Sequence, residues 1–247
     1  MHALIVGASR GIGLGFVRSL LQDDNIAKIY ATYRQAGAAF DLLALADQHA
    51  DRLACRTMDI TDEASIAACL EQINAEIDSL HWVVNCVGIL HEGALQPEKS
   101  LRQINPEQLM RYFQVNSMGA VLLAKHLLPL LRHGDRSIFA TISAKIGSIG
   151  DNRLGGWYGY RASKAALNML MRTAAIEYGR KSPKTIVVML HPGTTDTNLS
   201  QPFQKGVPPE KLFSVERTVT QLLAVIENLH DSDSGQFFSW DGSRLPW

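Results

Sequence analysis

The strongest constraint on this chain is an alternation. Short runs that are apolar throughout are each followed by a longer stretch with helical spacing. Ala3 to Val6 (ALIV), Lys28 to Tyr33 (KIYATY), Leu53 to Met58 (LACRTM), His81 to Asn85 (HWVVN), Ser137 to Ser143 (SIFATIS), Thr185 to Leu190 (TIVVML) and the late GQFFSW segment read as seven strands. Runs of this kind suit strands buried on both faces, and such strands alternating with helices predict an α/β fold: a doubly wound, mainly parallel sheet with helices on both faces. The helical stretches carry their own signals. Ile12, Phe16 and Leu20 recur at spacing four. Thr61 reads as the cap of a helix with Asp62 and Glu63 in its first turn. Asn105 followed by Pro106, with Gln108 able to reach back, starts a helix expected to run to about Leu131. Further helices are expected from the Tyr160 region to about Tyr178 and from Ser214 to Leu229.

The 247 residues show no repeat, low-complexity tract or linker, so one domain over 1–247 is expected. One long irregular segment, 194–213 (TTDTNLSQPFQKGVPPEKLF), reads as a loop insertion lining a substrate mouth. A formal net charge of zero and the absence of a basic block argue against nucleic acid as a partner. No run of about 18 apolar residues exists to span a membrane. Three scattered cysteines (Cys55, Cys69, Cys86) fit a reducing, cytoplasmic setting better than a disulfide framework. The eight histidines form no metal-ligand spacing, so no metal is expected.

Gly7, Gly11 and Gly13 fall between the first strand and the first helix. Glycine permits a tight turn and a close approach of backbone to a pyrophosphate, and the helix N-terminus offers free N–H groups. No Lys-Ser/Thr pair follows, which removes the P-loop alternative. About twenty residues past the last glycine, where an acid would hold the ribose of NAD, the chain has Arg34. Arginine pairs with a 2′-phosphate, and Arg10 inside the turn adds a second cation, so NADP(H) is favoured over NAD(H). The alternative is two ordinary surface arginines. Asp59, after the third strand, either accepts from an adenine amine or closes a local turn.

In YGYRASKAAL, Tyr160 and Lys164 stand four residues apart and share a helix face. Taken alone this is a surface helix with an aromatic anchor. Taken with GASRGIG (Gly7 to Gly13), NCVG (Asn85 to Gly88), VNSMGA with Asn116, TISAKIGSIG with Ser143 and HPGTTDT (His191 to Thr197), the chain resembles the short-chain dehydrogenase/reductase family over essentially its whole length. The segment GSIGDNRLGGWYGYRASKAALNML is most similar to the carbonyl reductases of the C-factor and sniffer type. Val6, Cys86 and Val87 depart from the usual family residues, and the interval from Ser143 to Tyr160 is somewhat long.

The resemblance implies a single-domain Rossmann-like fold and NADPH-dependent reduction of a small aldehyde or ketone. It implies a catalytic set of Asn116, Ser143, Tyr160 and Lys164. Tyr160 would donate the proton, with a neighbouring cation lowering its pKa. Ser143 would hold the substrate oxygen. Lys164 would also bond the nicotinamide ribose, and Asn116 would hold a proton-relay water. The implied cofactor contacts are Gly7, Ser9, Arg10, Gly11, Ile12, Gly13, Arg34, Asp59, Ile60, Asn85, Val87, Gly88, Tyr160, Lys164, Pro192, Gly193, Thr195 and Thr197. The family also implies a homo-oligomer, dimer or tetramer, formed by pairing the two long helices. Trp157, Tyr158 and His191 read as packing rather than as substrate contacts. Two alternatives stand beside this reading: a secondary-alcohol dehydrogenase, and a regulator that binds NADP(H) without turnover.

Overall fold

The computed structural model describes residues 1–247. Its strands are β1 (His2–Val6), β2 (Lys28–Tyr33), β3 (Leu53–Thr57), β4 (Trp82–Asn85), β5 (Ser137–Ile142), β6 (Thr185–His191), β7 (Thr194–Thr195), β8 (Leu212–Phe213) and β9 (Phe237–Ser239). Seven of them form one sheet in the order β3-β2-β1-β4-β5-β6-β9. Every neighbouring pair in it is parallel, so the sheet is wholly rather than mainly so. The order reverses between β1 and β4. In open parallel sheets that reversal opens a crevice beyond the strands' C-terminal ends.

The helices are α1 (Gly11–Leu20), α2 (Phe40–Gln48), α3 (Glu63–Asn74), α4 (Pro106–Phe113), α5 (Gly119–Leu131), α6 (Tyr158–Lys181) and α7 (Val215–Glu227). They cover both faces. Alternate residues of each strand feed opposite cores, as the two-residue period requires. Ala3 and Ile5 of β1, with Ile138 and Ala140 of β5, pack with Phe16, Leu42 and Leu222 on one side. Leu4, Val6 and Phe139 pack with Ile66, Leu127 and Met171 on the other. Truncating a fully buried ring such as Phe139 to alanine costs about 3–5 kcal/mol in cores of this kind.

Local signals explain most boundaries. Asn105 caps α4, its side chain accepting from the Gln108 N–H at 2.9 Å, with Pro106 in the first turn. α3 corrects the sequence reading. Its cap is Asp62, which accepts from the Ala64 N–H, while Thr61 instead donates to Asp59. The long helix from Pro106 is not uniform. Residues Gln114–Met118 widen into a π-turn before α5, and Asn116 sits at its centre. α2 has no counterpart in the sequence reading. Segment 194–213 is held shut at its base by a two-residue parallel ladder, Thr194 to Leu212 and Thr195 to Phe213. Two 3-10 turns, Gln201–Phe203 and Pro209–Lys211, lie between.

Candidate active site

The glycine turn lies at the C-terminal end of β1. Gly7 and Gly11 have positive φ values of 79° and 55°, conformations that glycine adopts freely. A Cβ on Gly7 would run into Val87, and one on Gly13 would strike the Gly7 carbonyl. Thr32, at the end of β2, anchors the turn: its hydroxyl accepts from the Gly7 N–H at 3.2 Å and its carbonyl from the Ala8 N–H at 2.7 Å. The α1 N-terminus has no side-chain cap and no acid in its first turn. An uncapped dipole end behind a glycine cradle is a site for a phosphate group, so these residues fit a dinucleotide. Thr197 leans over the turn, its methyl 3.3 Å from where a Gly11 Cβ would stand. Ser9 and Ile12 flank the turn half-buried, and Arg10 is exposed beside it.

Toward the outer end of the crevice, Arg34 is 3.3 Å from Glu92, and Arg111 of α4 grips the other oxygen of Glu92 at 2.8 Å. Burial pushes the Asp59 carboxyl up, but hydrogen bonds from Thr61 and the Arg34 and Arg111 guanidiniums outweigh it, leaving the carboxyl below its usual range. Asp59 thus closes a local turn with Thr61 and also faces two cations. Ile60 packs against Gly119, where a Cβ would strike it. Asn85 accepts from the Val87 N–H at 3.1 Å, shaping the chain as it leaves β4.

At the inner end four polar side chains meet. Lys164, 3 % exposed, donates from Nζ to the Ile142 carbonyl at 3.0 Å. Ser143 follows directly and donates from Oγ to Asn168 Oδ1 at 2.7 Å. The Asn168 Nδ2 is buried without a partner. Asn116 accepts at Oδ1 from the Ile89 N–H at 2.7 Å, and its Nδ2 donates to the Ile89 carbonyl and to Ser163 Oγ. Both Asn116 Oδ1 and Lys164 Nζ lie 3.4 Å from the point where a Gly88 Cβ would stand, so a side chain at 88 would crowd both. The π-turn widens the helix at the residue that must turn inward, a common location for such bulges.

Tyr160 is 7 % exposed, with Lys164 Nζ 6.0 Å from its ring centroid. Burial pushes its phenol up, opposite to the lowering expected from the nearby cation. Burial also pushes Lys164 down to about 8. The ammonium faces a backbone carbonyl rather than the phenol, so loss of water outweighs attraction between the two. The Tyr160 ring packs edge-on against Tyr112 and Trp157, both at 6.2 Å.

Not every expected contact faces the crevice. Thr195 turns into the interior, its hydroxyl 2.9 Å from that of Thr218. Pro192 and Gly193 form the turn after β6, with Gly193 at φ 75° under the Phe213 ring. Desolvation pushes His191 down to about 4, so it is neutral at ordinary pH. No group of three His, Cys, Asp or Glu side chains converges closely enough to hold a metal, and the three cysteines are unpaired. Thr32, Asn168, Glu92 and Arg111 escaped the sequence reading. Only Asn168 had a usable signal, lying one turn past Lys164 on the same helix face.

The glycine cradle and the buried Ser-Tyr-Lys-Asn cluster occur in one crevice of a parallel sheet. Residues 1–207 match the family model described as short chain dehydrogenase, and the chain belongs to that family of oxidoreductases. It is 30% identical to benzil reductase ((S)-benzoin forming) of Saccharomyces cerevisiae, over 98% of this chain and 96% of that protein. Among solved structures it is similar to NADPH-bound carbonyl reductase from chicken fatty liver, with a TM-score of 0.89 and 30% identity, covering 100% of this chain and 98% of that one. It is also similar to the carbonyl reductase Sniffer of D. melanogaster, with a TM-score of 0.88, 25% identity and coverage of 100% and 99%. No helix is long and apolar enough to cross a membrane.

Proposed function

We propose that this protein reduces a small aldehyde or ketone with NADPH, using Tyr160 as the proton donor. The observation that carries the reading is the convergence of Tyr160, Lys164, Ser143 and Asn116 beyond β4 and β5. The bound nicotinamide would supply the hydride. Burial keeps the Tyr160 phenol protonated, ready to donate to the carbonyl oxygen. Lys164, at about 8, is mostly cationic at pH 7 and eases departure of that proton. Ser143 can swing its hydroxyl from Asn168 to the substrate oxygen. Asn116 has its amide engaged by Ile89 and Ser163, so it braces the post-β4 loop against α6 and holds Lys164 in register. Arg34 and Arg10, near the outer end, support NADPH over NADH through a 2′-phosphate. The alternative direction, oxidation of a secondary alcohol, uses the same groups in reverse.

The test is loss of reduced-nicotinamide absorbance against a panel of carbonyls. Tyr160→Phe is expected to reduce turnover by about 10² to 10⁴ while NADPH still binds. Turnover surviving that change defeats the reading. NADPH binding without turnover in the unaltered protein points to a nucleotide-sensing regulator. A homo-oligomer completes the proposal. Met110, Met118, Met169 and Ile176 are 45–67 % exposed on α4, the π-turn and α6, an apolar face suited to a second copy. Light scattering is expected to give a dimer or tetramer, and Met110→Lys with Met169→Lys is expected to shift it toward monomer.

A further inference from the structure

The start of α6 sets the direction of Tyr160, and it is built in an unusual way. Gly155, Gly156 and Trp157 take φ values of 64°, 63° and 52° in succession. Trp157 is the only residue other than glycine with positive φ. A bulky residue in this region costs of order 1–3 kcal/mol and persists only where its surroundings impose it. Trp157 occupies the N-cap position yet supplies no side-chain cap, and the first turn of α6 carries no acid. The cap comes from elsewhere in the chain. Glu98, in the loop between β4 and α4, accepts at its backbone carbonyl from the Trp157 N–H at 2.5 Å. Its carboxylate Oε2 accepts from the Gly159 N–H at 3.1 Å. Two of the helix's unfilled N–H groups are thus met by one residue, 59 and 61 positions away.

Glu98 is an expensive way to do this. It is 2 % exposed, and no cationic side chain lies within ion-pair distance. Its other oxygen, Oε1, is buried without a hydrogen-bond partner. A buried carboxylate without an ion partner destabilises a fold, and only the one N–H bond and the positive end of α6 offset that here. Space is matched to it: a Cβ on Gly159 would approach Oε1 to 3.0 Å and would strike the Tyr112 ring. On the opposite side Arg161 ties down the same left-handed turn, donating to the carbonyls of Gly155, Gly156 and Ile146. The turn held in this way presses the Trp157 indole against the Tyr160 ring and against Phe203 of segment 194–213, at 4.9 Å from the latter.

We infer that Glu98 is a positioning residue for Tyr160: its carboxylate and carbonyl fix the left-handed entry to α6, and through Trp157 they aim the phenol. The inference rests on Tyr160 being the proton donor. It goes beyond that reading in assigning the aim of the donor to a buried carboxylate outside the cluster. Hydrogen bonding at the correct reach is the operative property. Glutamine keeps one acceptor oxygen at the reach of Oε2, with an amide nitrogen in place of the unpartnered Oε1, whereas aspartate keeps the charge and falls one methylene short of Gly159.

The experiment compares Glu98→Gln and Glu98→Asp with the parent protein, measuring kcat, the KM for NADPH and the melting temperature, with Tyr160→Phe alongside. The aspartate variant is expected to lose about ten- to a hundredfold in kcat, since an error of an ångström in a reacting group has this effect. Its KM for NADPH is expected to stay within twofold. The glutamine variant is expected to keep kcat within threefold. Both variants are expected to remain folded, as the melting temperature checks, because neither substitution opens a large cavity. Aspartate at parental kcat with Tyr160→Phe inactive overturns the inference and leaves the proposed function standing. A loss shared equally by both variants overturns it too, since charge and not reach would then be the cause. Tyr160→Phe retaining turnover overturns the proposed function and this inference together.

Discussion

The two ends of the crevice hold charge in opposite ways. At the outer end Arg34, Glu92 and Arg111 form a network whose side chains are 45 %, 39 % and 29 % exposed. At the inner end Lys164 and Tyr160 are 3 % and 7 % exposed and lack a counter-ion. Exposed ion pairs contribute about 0–1 kcal/mol and are screened by salt, so the outer end can be rearranged cheaply. Buried groups pay in altered pKa, and burial sends Lys164 down to about 8 and Tyr160 up. In the proposed reading, cofactor discrimination falls to a solvent-wet network and the chemistry to a buried one.

The largest expected effect tests the inner end. Lys164→Met is expected to lower turnover by at least about a hundredfold. It is also expected to stabilise the protein at neutral pH. The folded pKa of Lys164 is about 8 against an ordinary 10.5. Between those values the unfolded chain binds more protons, so stability of the parent rises with pH across this window, by about 3 kcal/mol in all. The Met variant lacks that slope. Denaturant titrations at pH 7 and near pH 10.5 should show the variant ahead at the lower pH and the difference closing at the higher. A difference that is constant with pH would mean that the lysine is not held in a dehydrated state.

A smaller effect is expected at the outer end. Arg34→Gln is expected to raise the Kd for NADPH about tenfold, equivalent to about 1.4 kcal/mol, and to leave NADH unchanged. Added salt should shrink the difference, as for any exposed charge. Glu92→Gln is the reciprocal probe and the smallest effect. Releasing Arg34 and Arg111 from their shared carboxylate is expected to tighten NADPH binding about two- to threefold, within the worth of an exposed pair. Titration of both variants by cofactor fluorescence checks this. Equal weakening for NADH and NADPH with Arg34→Gln would remove the contrast between the two ends.

What could be read from sequence follows from the range of the interactions involved. The strands, the glycine turn and the Asn105-Pro106 helix start are local patterns and were legible. Tyr160 and Lys164 were legible because four residues make one helical turn. The cap of α3 was misassigned by one residue, because Thr61 and Asp62 are both capping residues and only the Asp59 carboxylate decides between them. α2 went unread because its short stretch buries one residue, Leu42, and carries no clear stripe. Glu98 and Glu92 were invisible because their partners, Gly159 and Arg34, lie 61 and 58 positions away, whereas Asn168 shares a helix face with Lys164 and only its partner Ser143, 25 positions away, was hidden. The direction of the Tyr160 shift was misjudged, since spacing shows that a lysine is near but not that its Nζ is spent on the Ile142 carbonyl.

The sequence by itself determined the parallel sheet and the glycine turn, since each depends on periodicity or on a residue type that only one backbone shape accepts, and the resemblance it carries named the candidate side chains. Tertiary structure decided the burial of the tyrosine and lysine, the inward turn of Asn116 and the capping of α6 by Glu98. Those depend on how much water is removed and on which distant atom arrives to replace it, and neither is written in neighbouring residues.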